Sequence, residues 1–167
     1  KMVGSFGDAA IFSFTPTKVI STGEGGVVVT NSKELYDKLK LIRSHGRLED
    51  EDYFSTIKYM EYITLGYNFR MPSIIAAHGL AQLEKLEKII KQRQNIANYY
   101  NESFNNNAEI QTPIIPSDCF HIFQMYSLLI NKGRKKRDYL QKKLKEKGIT
   151  SKVYFEPLHK THFYNNK

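Results

Sequence analysis

Cysteine is nearly absent from this chain: Cys119 is the only one among 167 residues. A single thiol excludes an internal disulfide framework and suits a reducing compartment. Long hydrophobic runs are absent as well. Ser, Thr, Lys or Gly interrupts the apolar stretches well short of the about 20 residues that span a bilayer, and no basic segment followed by an apolar one opens the chain. The expectation is a soluble, cytoplasmic protein with no membrane contact. Because 41% of its residues are hydrophobic, the chain can still bury one respectable core, or parts of two smaller ones, so it is no disordered tail.

Acidic charge is also in short supply, 17 residues against 25 basic ones, for a net +8. Nearly all the excess sits in residues 132–147, where Lys132, Arg134, Lys135, Lys136, Arg137, Lys142, Lys143, Lys145 and Lys147 accompany two acids. Such a cluster could face nucleic acid or another anion. Leu140 and Leu144, with Tyr139 beside them, leave one apolar stripe on a helix whose other faces carry the lysines. The segment lacks aromatic platforms and groove-reading motifs. It therefore reads as a solvated helix, and no nucleic-acid partner is expected.

Residues 9–14 and 27–30 are continuous, branched and bounded by Gly, the pattern of short, fully buried strands. A helix follows, with Asn31 as its cap, Glu34 three residues on, and Leu35, Leu39 and Ile42 along one face. Residues 44–66 lose periodicity and carry the acidic run Glu49-Asp50-Glu51-Asp52 with Tyr53, Phe54, Tyr59 and Tyr62. Pro72 suits a helix start, and from there to about Phe104 one long helix is expected, deeply buried in its first half and surface-lying in its second. Beyond Asn105-Asn106-Asn107, residues 120–130 read as a strand, 134–147 as a helix closed by Gly148, and 150–155 as another strand. This remainder looks like a small second domain. The resulting division is 1–71, a bridging helix over 72–107, and 108–167.

Chemistry concentrates in Ile11-Phe12-Ser13-Phe14-Thr15-Pro16-Thr17-Lys18, followed by Thr22-Gly23-Glu24-Gly25-Gly26. An amine attacks an aldehyde or ketone only when neutral, and partial burial beside apolar and hydroxyl groups favours that form. The hydroxyls and glycines suit a phosphate, and Ser13 falls at the strand end where phosphate ligands gather in α/β proteins. Read by itself, the run is an ordinary strand–turn–strand connection with a solvated lysine at its edge.

Several separated blocks change that reading. The run Gly4-Ser5-Phe6-Gly7-Asp8-Ala9-Ala10-Ile11-Phe12-Ser13-Phe14, Lys18, and Thr22-Gly23-Glu24-Gly25-Gly26 resembles the lysine region of the DegT/DnrJ/EryC1/StrS sugar aminotransferases. Ser44-His45-Gly46-Arg47, Gly66-Tyr67-Asn68-Phe69-Arg70-Met71-Pro72, and Ala76-Ala77 with Gly79-Leu80 and Gln82-Leu83 follow in that family's order. The resemblance implies an α/β chain with the type I pyridoxal-phosphate transferase fold, the large cofactor domain and the small C-terminal domain each present in part. It implies a homodimer with shared active sites, and transfer of an amino group from glutamate to a nucleotide-linked keto sugar in cell-surface or polysaccharide biosynthesis.

On the same basis Lys18 resembles the lysine that holds pyridoxal 5'-phosphate covalently and later moves protons. Ser13 resembles a ligand of the cofactor phosphate, and Asn68 the asparagine that reaches that phosphate from the partner subunit. Tyr154 and His159, in Tyr154-Phe155-Glu156-Pro157-Leu158-His159, are similar to a substrate-side pattern of the family, though a surface histidine fits as well. His45 fits a structural or a functional role. Glu24 has no assigned role, and no metal ligands are expected. The carboxylate that should meet the pyridine nitrogen belongs, by the resemblance, upstream of Lys1, and Asp8 is not its substitute. A truncated or partial chain, inactive alone, is therefore expected. Two other readings stay open: the family's sugar dehydratase branch, whose histidine in place of the lysine argues against it here, and a basic anion-binding module.

Overall fold

The computed structural model describes residues 1–48, 57 and 59–165. The acidic run Glu49-Asp50-Glu51-Asp52, Tyr53 and Phe54 lie outside the described residues. The chain divides into two compact units, Lys1–Ile89 and Ile90–Lys167.

In the first unit, β1 (Ala9–Ser13) pairs antiparallel with β2 (Gly26–Thr30), in a register that sets Ser13 opposite Gly26 and Ile11 opposite Val28. The strands fall where the branched residues placed them, but they are not buried. Ile11 is 81% exposed and Val27, Val28 and Val29 about 40% each, because among the described residues this sheet has only two strands and its faces are covered in part. Helix α1 (Lys33–Arg43) starts one residue later than the Asn31 cap would give: Ser32 Oγ accepts the Leu35 amide at 3.2 Å. A serine cap of this kind is worth about 1 kcal/mol. Glu34 is thereby free to accept from Lys38, which holds its carboxyl below the usual range.

Not one long helix but two follow Pro72. Helix α2 (Ser73–Leu83) ends in a tightened turn in which Lys85 N donates to Gln82 O at 3.1 Å, and α3 (Leu86–Phe104) starts afresh. The apolar first half is not deeply buried, since Ile74 is 78% and Leu80 65% exposed. Its inner side, including Ala76 and Gly79, faces the β1–β2 loop.

In the second unit, α3 turns a stripe of Arg93, Gln94, Ala97, Asn101 and Phe104 inward, and Ala97 is its most buried member at 2%. This stripe explains why residues 120–128 are not strand. Their carbonyls are taken by side chains of α3: Arg93 Nη1 donates to Phe123 O and Gln124 O, and Gln94 Nε2 to His121 O. Tyr126 donates to Asn101 Oδ1 at 2.6 Å, and burial, then neighbouring Tyr100, pushes its phenol above the ordinary value. Only β4 (Leu129–Ile130) remains of the expected strand, paired with a short β3 (Ile110–Gln111).

Helix α4 (Gly133–Glu146) carries the basic cluster. Arg137, Leu140, Gln141 and Leu144 form its less exposed stripe, and the lysines face outward. It closes on Gly148, with Gly148 N bonded to Lys145 O and Ile149 N to Leu144 O, both near 3 Å. Residues 150–155 form no strand; Ser151 O accepts from Gln141 instead. The described chain ends in a short turn, Leu158–Lys160, and α5 (His162–Asn165). Among the described residues no helix is long and apolar enough to cross a membrane.

Candidate functional site

The β1–β2 loop is closed at its neck. Phe14 N donates to Gly25 O at 2.9 Å, and Phe14 O accepts from Thr22 N at 3.0 Å and Ser21 Oγ at 3.1 Å. Residues 15–21 therefore leave and return at one point. Within them Lys18 N donates to Thr15 O at 3.0 Å, a tight turn that holds Lys18 half-buried, while Ser13 stands exposed at the loop's base. Both residues singled out in the sequence are thus carried by one hydrogen-bonded loop.

The chemistry of the loop is that of a donor set. From Ser13 through Gly23 there is no carboxylate, and hydroxyls and an ammonium can face an anion. Ser13 Oγ lies 3.4 Å from Thr15 Oγ1 and from Thr15 N. That is longer than the about 2.5–3.0 Å of a good hydroxyl bond, so the serine remains available to a stronger acceptor. Thr22, by contrast, is 6% exposed and its hydroxyl is spent on Glu24 O at 2.7 Å. Beneath the loop, Phe14, Ile20, Thr22 and Met71 meet Ala76, Gly79 and Leu83 of α2 around a cavity of about 280 Å³. The cavity's walls are apolar, so it supports the loop and does not receive an anion.

Asn68 sits elsewhere in the same unit, on an extended segment clasped to the end of α1. Tyr67 N donates to Ile42 O at 2.6 Å, His45 N to Tyr67 O at 2.8 Å, and Phe69 N to Arg43 O at 2.8 Å, so that Ser44 and Asn68 pair as an isolated bridge. His45 has φ 61° and Gly46 N reaches back to Leu41 O at 2.8 Å, a left-handed helix cap. The backbone of His45 thus helps to close the end of the helix. Ser44 is fully buried, and among the described residues its hydroxyl has no hydrogen-bond partner. Tyr67 and Phe69 stack on each other, rings 4.9 Å apart and 6° from parallel, as alternate residues of an extended strand do on one face.

Asn68 points its oxygen to Arg70 Nε, 3.1 Å away, which leaves its amide nitrogen as the end offered outward. Among the described residues no hydrogen bond joins Asn68 to Ser13 or Lys18, so one chain does not bring the three together. Tyr154 and His159 lie exposed in the second unit. Sequence reasoning missed Thr15, whose signal was its place two residues after Ser13, and Arg70, which stands in the same block as Asn68. Of the basic cluster, Lys136 pairs with Glu109, Arg137 with Asp138, and Lys143 with Glu146.

The fit to a phosphate-bearing aldehyde is good. Lys18 supplies an amine in a half-buried turn, Ser13 an underused hydroxyl, and Asn68 an outward amide donor.

Comparison with known proteins agrees. The profile of the DegT/DnrJ/EryC1/StrS aminotransferase family matches residues 1–167. The chain is 41% identical to an uncharacterized protein of Methanocaldococcus jannaschii, over 98% of this chain and 44% of that protein. It is 36% identical to the GDP-perosamine synthase of Escherichia coli O157:H7, over 100% and 43%. The structure of PseC of Helicobacter pylori, an aminotransferase involved in pseudoaminic acid biosynthesis, superposes with a TM-score of 0.87 at 34% identity, over 99% of this chain and 44% of that one. The expected partial type I transferase fold is therefore the observed one. The chain spans less than half the length of these proteins.

Proposed function

This chain belongs to the DegT/DnrJ/EryC1/StrS aminotransferase family, and from that premise we propose that it serves a pyridoxal 5'-phosphate-dependent aminotransferase acting on a nucleotide-linked keto sugar. In this proposal glutamate is the amino donor and the product feeds polysaccharide or cell-surface sugar biosynthesis; a relative of Bacillus subtilis, 33% identical, is named a spore coat polysaccharide biosynthesis protein. The observation that carries the reading is the closed loop that holds Lys18 in a half-buried turn and has Ser13 at its base. When bound, the cofactor supplies an electron sink for charge developing at the substrate carbon. Lys18 Nζ would hold the cofactor and would move the proton at that carbon. Ser13 Oγ and the Asn68 amide would donate to the phosphate, and Tyr154 and His159 would serve the substrate side.

Asn68 performs this role for the partner subunit of a homodimer, which accounts for its lack of any bond to Ser13 or Lys18 within one chain. We assign residues 1–71 to the large domain, 72–107 to the bridging segment and 108–167 to the small domain. The boundary between the two compact units, inside 72–107, supports that assignment. The exposed free thiol of Cys119 suits the cytoplasm.

Borohydride reduction of the cofactor-loaded enzyme, followed by peptide mapping, tests the central assignment. The label is expected on Lys18, and a label on another lysine overturns it.

A further inference from the structure

We infer that Arg70 is a positioning residue that fixes which end of the Asn68 carboxamide faces the phosphate. The inference rests on the reading of Asn68 as a phosphate ligand. A primary amide has an acceptor at one end and donors at the other, and only the donor end suits an anion. Rotation about the last side-chain bond exchanges the two. The strand itself is held by three backbone bonds to the end of α1, so the freedom that remains lies in the side chain, this rotation included.

Arg70 removes it. A guanidinium has donors only, so the 3.1 Å contact from Arg70 Nε admits the amide oxygen and excludes the amide nitrogen. Residues two apart on an extended segment share a face, which puts the arginine beside the amide it orients, while the stacked Tyr67 and Phe69 occupy the other face. The guanidinium also places positive charge on the side of the strand from which the amide approaches phosphate. Arg70 is exposed, so shortening it leaves the packing of the unit intact.

Equilibrium binding of pyridoxal 5'-phosphate and of unphosphorylated pyridoxal to the unaltered enzyme, Arg70→Ala, Asn68→Ala and the double variant tests the inference. Arg70→Ala is expected to weaken binding of the phosphorylated form about tenfold, as for loss of a hydrogen bond to a charged group, and to leave pyridoxal binding within about twofold. In the Asn68→Ala background the same change should add less than about twofold, because the two residues act as one unit. Equal weakening of both ligands, a full tenfold loss persisting in that background, or unchanged phosphate binding in Arg70→Ala beside weakened Asn68→Ala each overturns the inference. An unchanged affinity in Asn68→Ala alone overturns the underlying reading of Asn68 instead.

Discussion

Protein carrying Lys18→Ala and protein carrying Asn68→Ala, dissociated and re-formed together, should recover activity that neither has alone. On the proposed assignment, loss of the lysine removes the amine that moves the proton, an effect of about 10³-fold or more on turnover. On the same assignment, loss of the asparagine should weaken cofactor retention, so at limiting cofactor that parent is expected to be silent as well. If each site takes Lys18 from one subunit and Asn68 from the other, a mixed dimer holds one site with both substitutions and one with neither. Random re-association makes half the dimers mixed, so about a quarter of the sites are intact. Turnover near that fraction of the unaltered enzyme is the expected measurement. If both residues served the same chain's site, every site would keep one lesion and no recovery would occur.

Gly46→Ala should cost about 3 kcal/mol of stability, the largest effect expected for so small a change. Gly46 has φ 73°, where an alanine loses about 1–2 kcal/mol. A Cβ there also collides with the Thr64 carbonyl, and one on Gly66 would strike the Gly46 amide, so the two glycines meet backbone to backbone. Neither backbone can move aside cheaply, since Gly46 O accepts from Ile63 and Gly46 N is bonded to Leu41. Gly148→Ala is the control. Its φ is 77° with nothing near the added carbon, so it should lose only the conformational part. Denaturant unfolding of both variants measures the difference, and equal losses would mean that the close approach at Gly46 carries no energy.

What the sequence disclosed is what local chemistry decides. Helices α1 and α4 begin and end near their expected places because a capping serine, a left-handed glycine and apolar residues four apart act within a few residues of chain. Residues 120–130 misled for a physical reason: their content of branched and aromatic residues is real, but Arg93 and Gln94 take carbonyls that a neighbouring strand would have taken. The break at Glu84 and Lys85 left no signal, because both residues favour helix. At the site, Lys18 was legible as a candidate only through the family's separated blocks, whereas its hydrogen-bonded loop depends on Phe14 meeting Thr22 and Gly25. The meeting of Gly46 with Gly66 could not be read from either glycine alone.

The last turn of α1 is finished not by its own chain but by the strand around Asn68. In an ordinary helix end of this kind, the amide of His45 would bond Ile42 O; here Tyr67 takes that carbonyl and returns its own to His45. Fraying of α1 and release of the strand are therefore a single opening event. The amides of Gly46, Tyr67 and Phe69 should exchange with solvent deuterium at one shared rate, slower than the first turn of α1, and widely separate rates would show that the strand opens by itself. Any substitution that loosens α1 then acts on Asn68 as well, so the helix surface, though it touches no ligand, sets how long that amide stays in place.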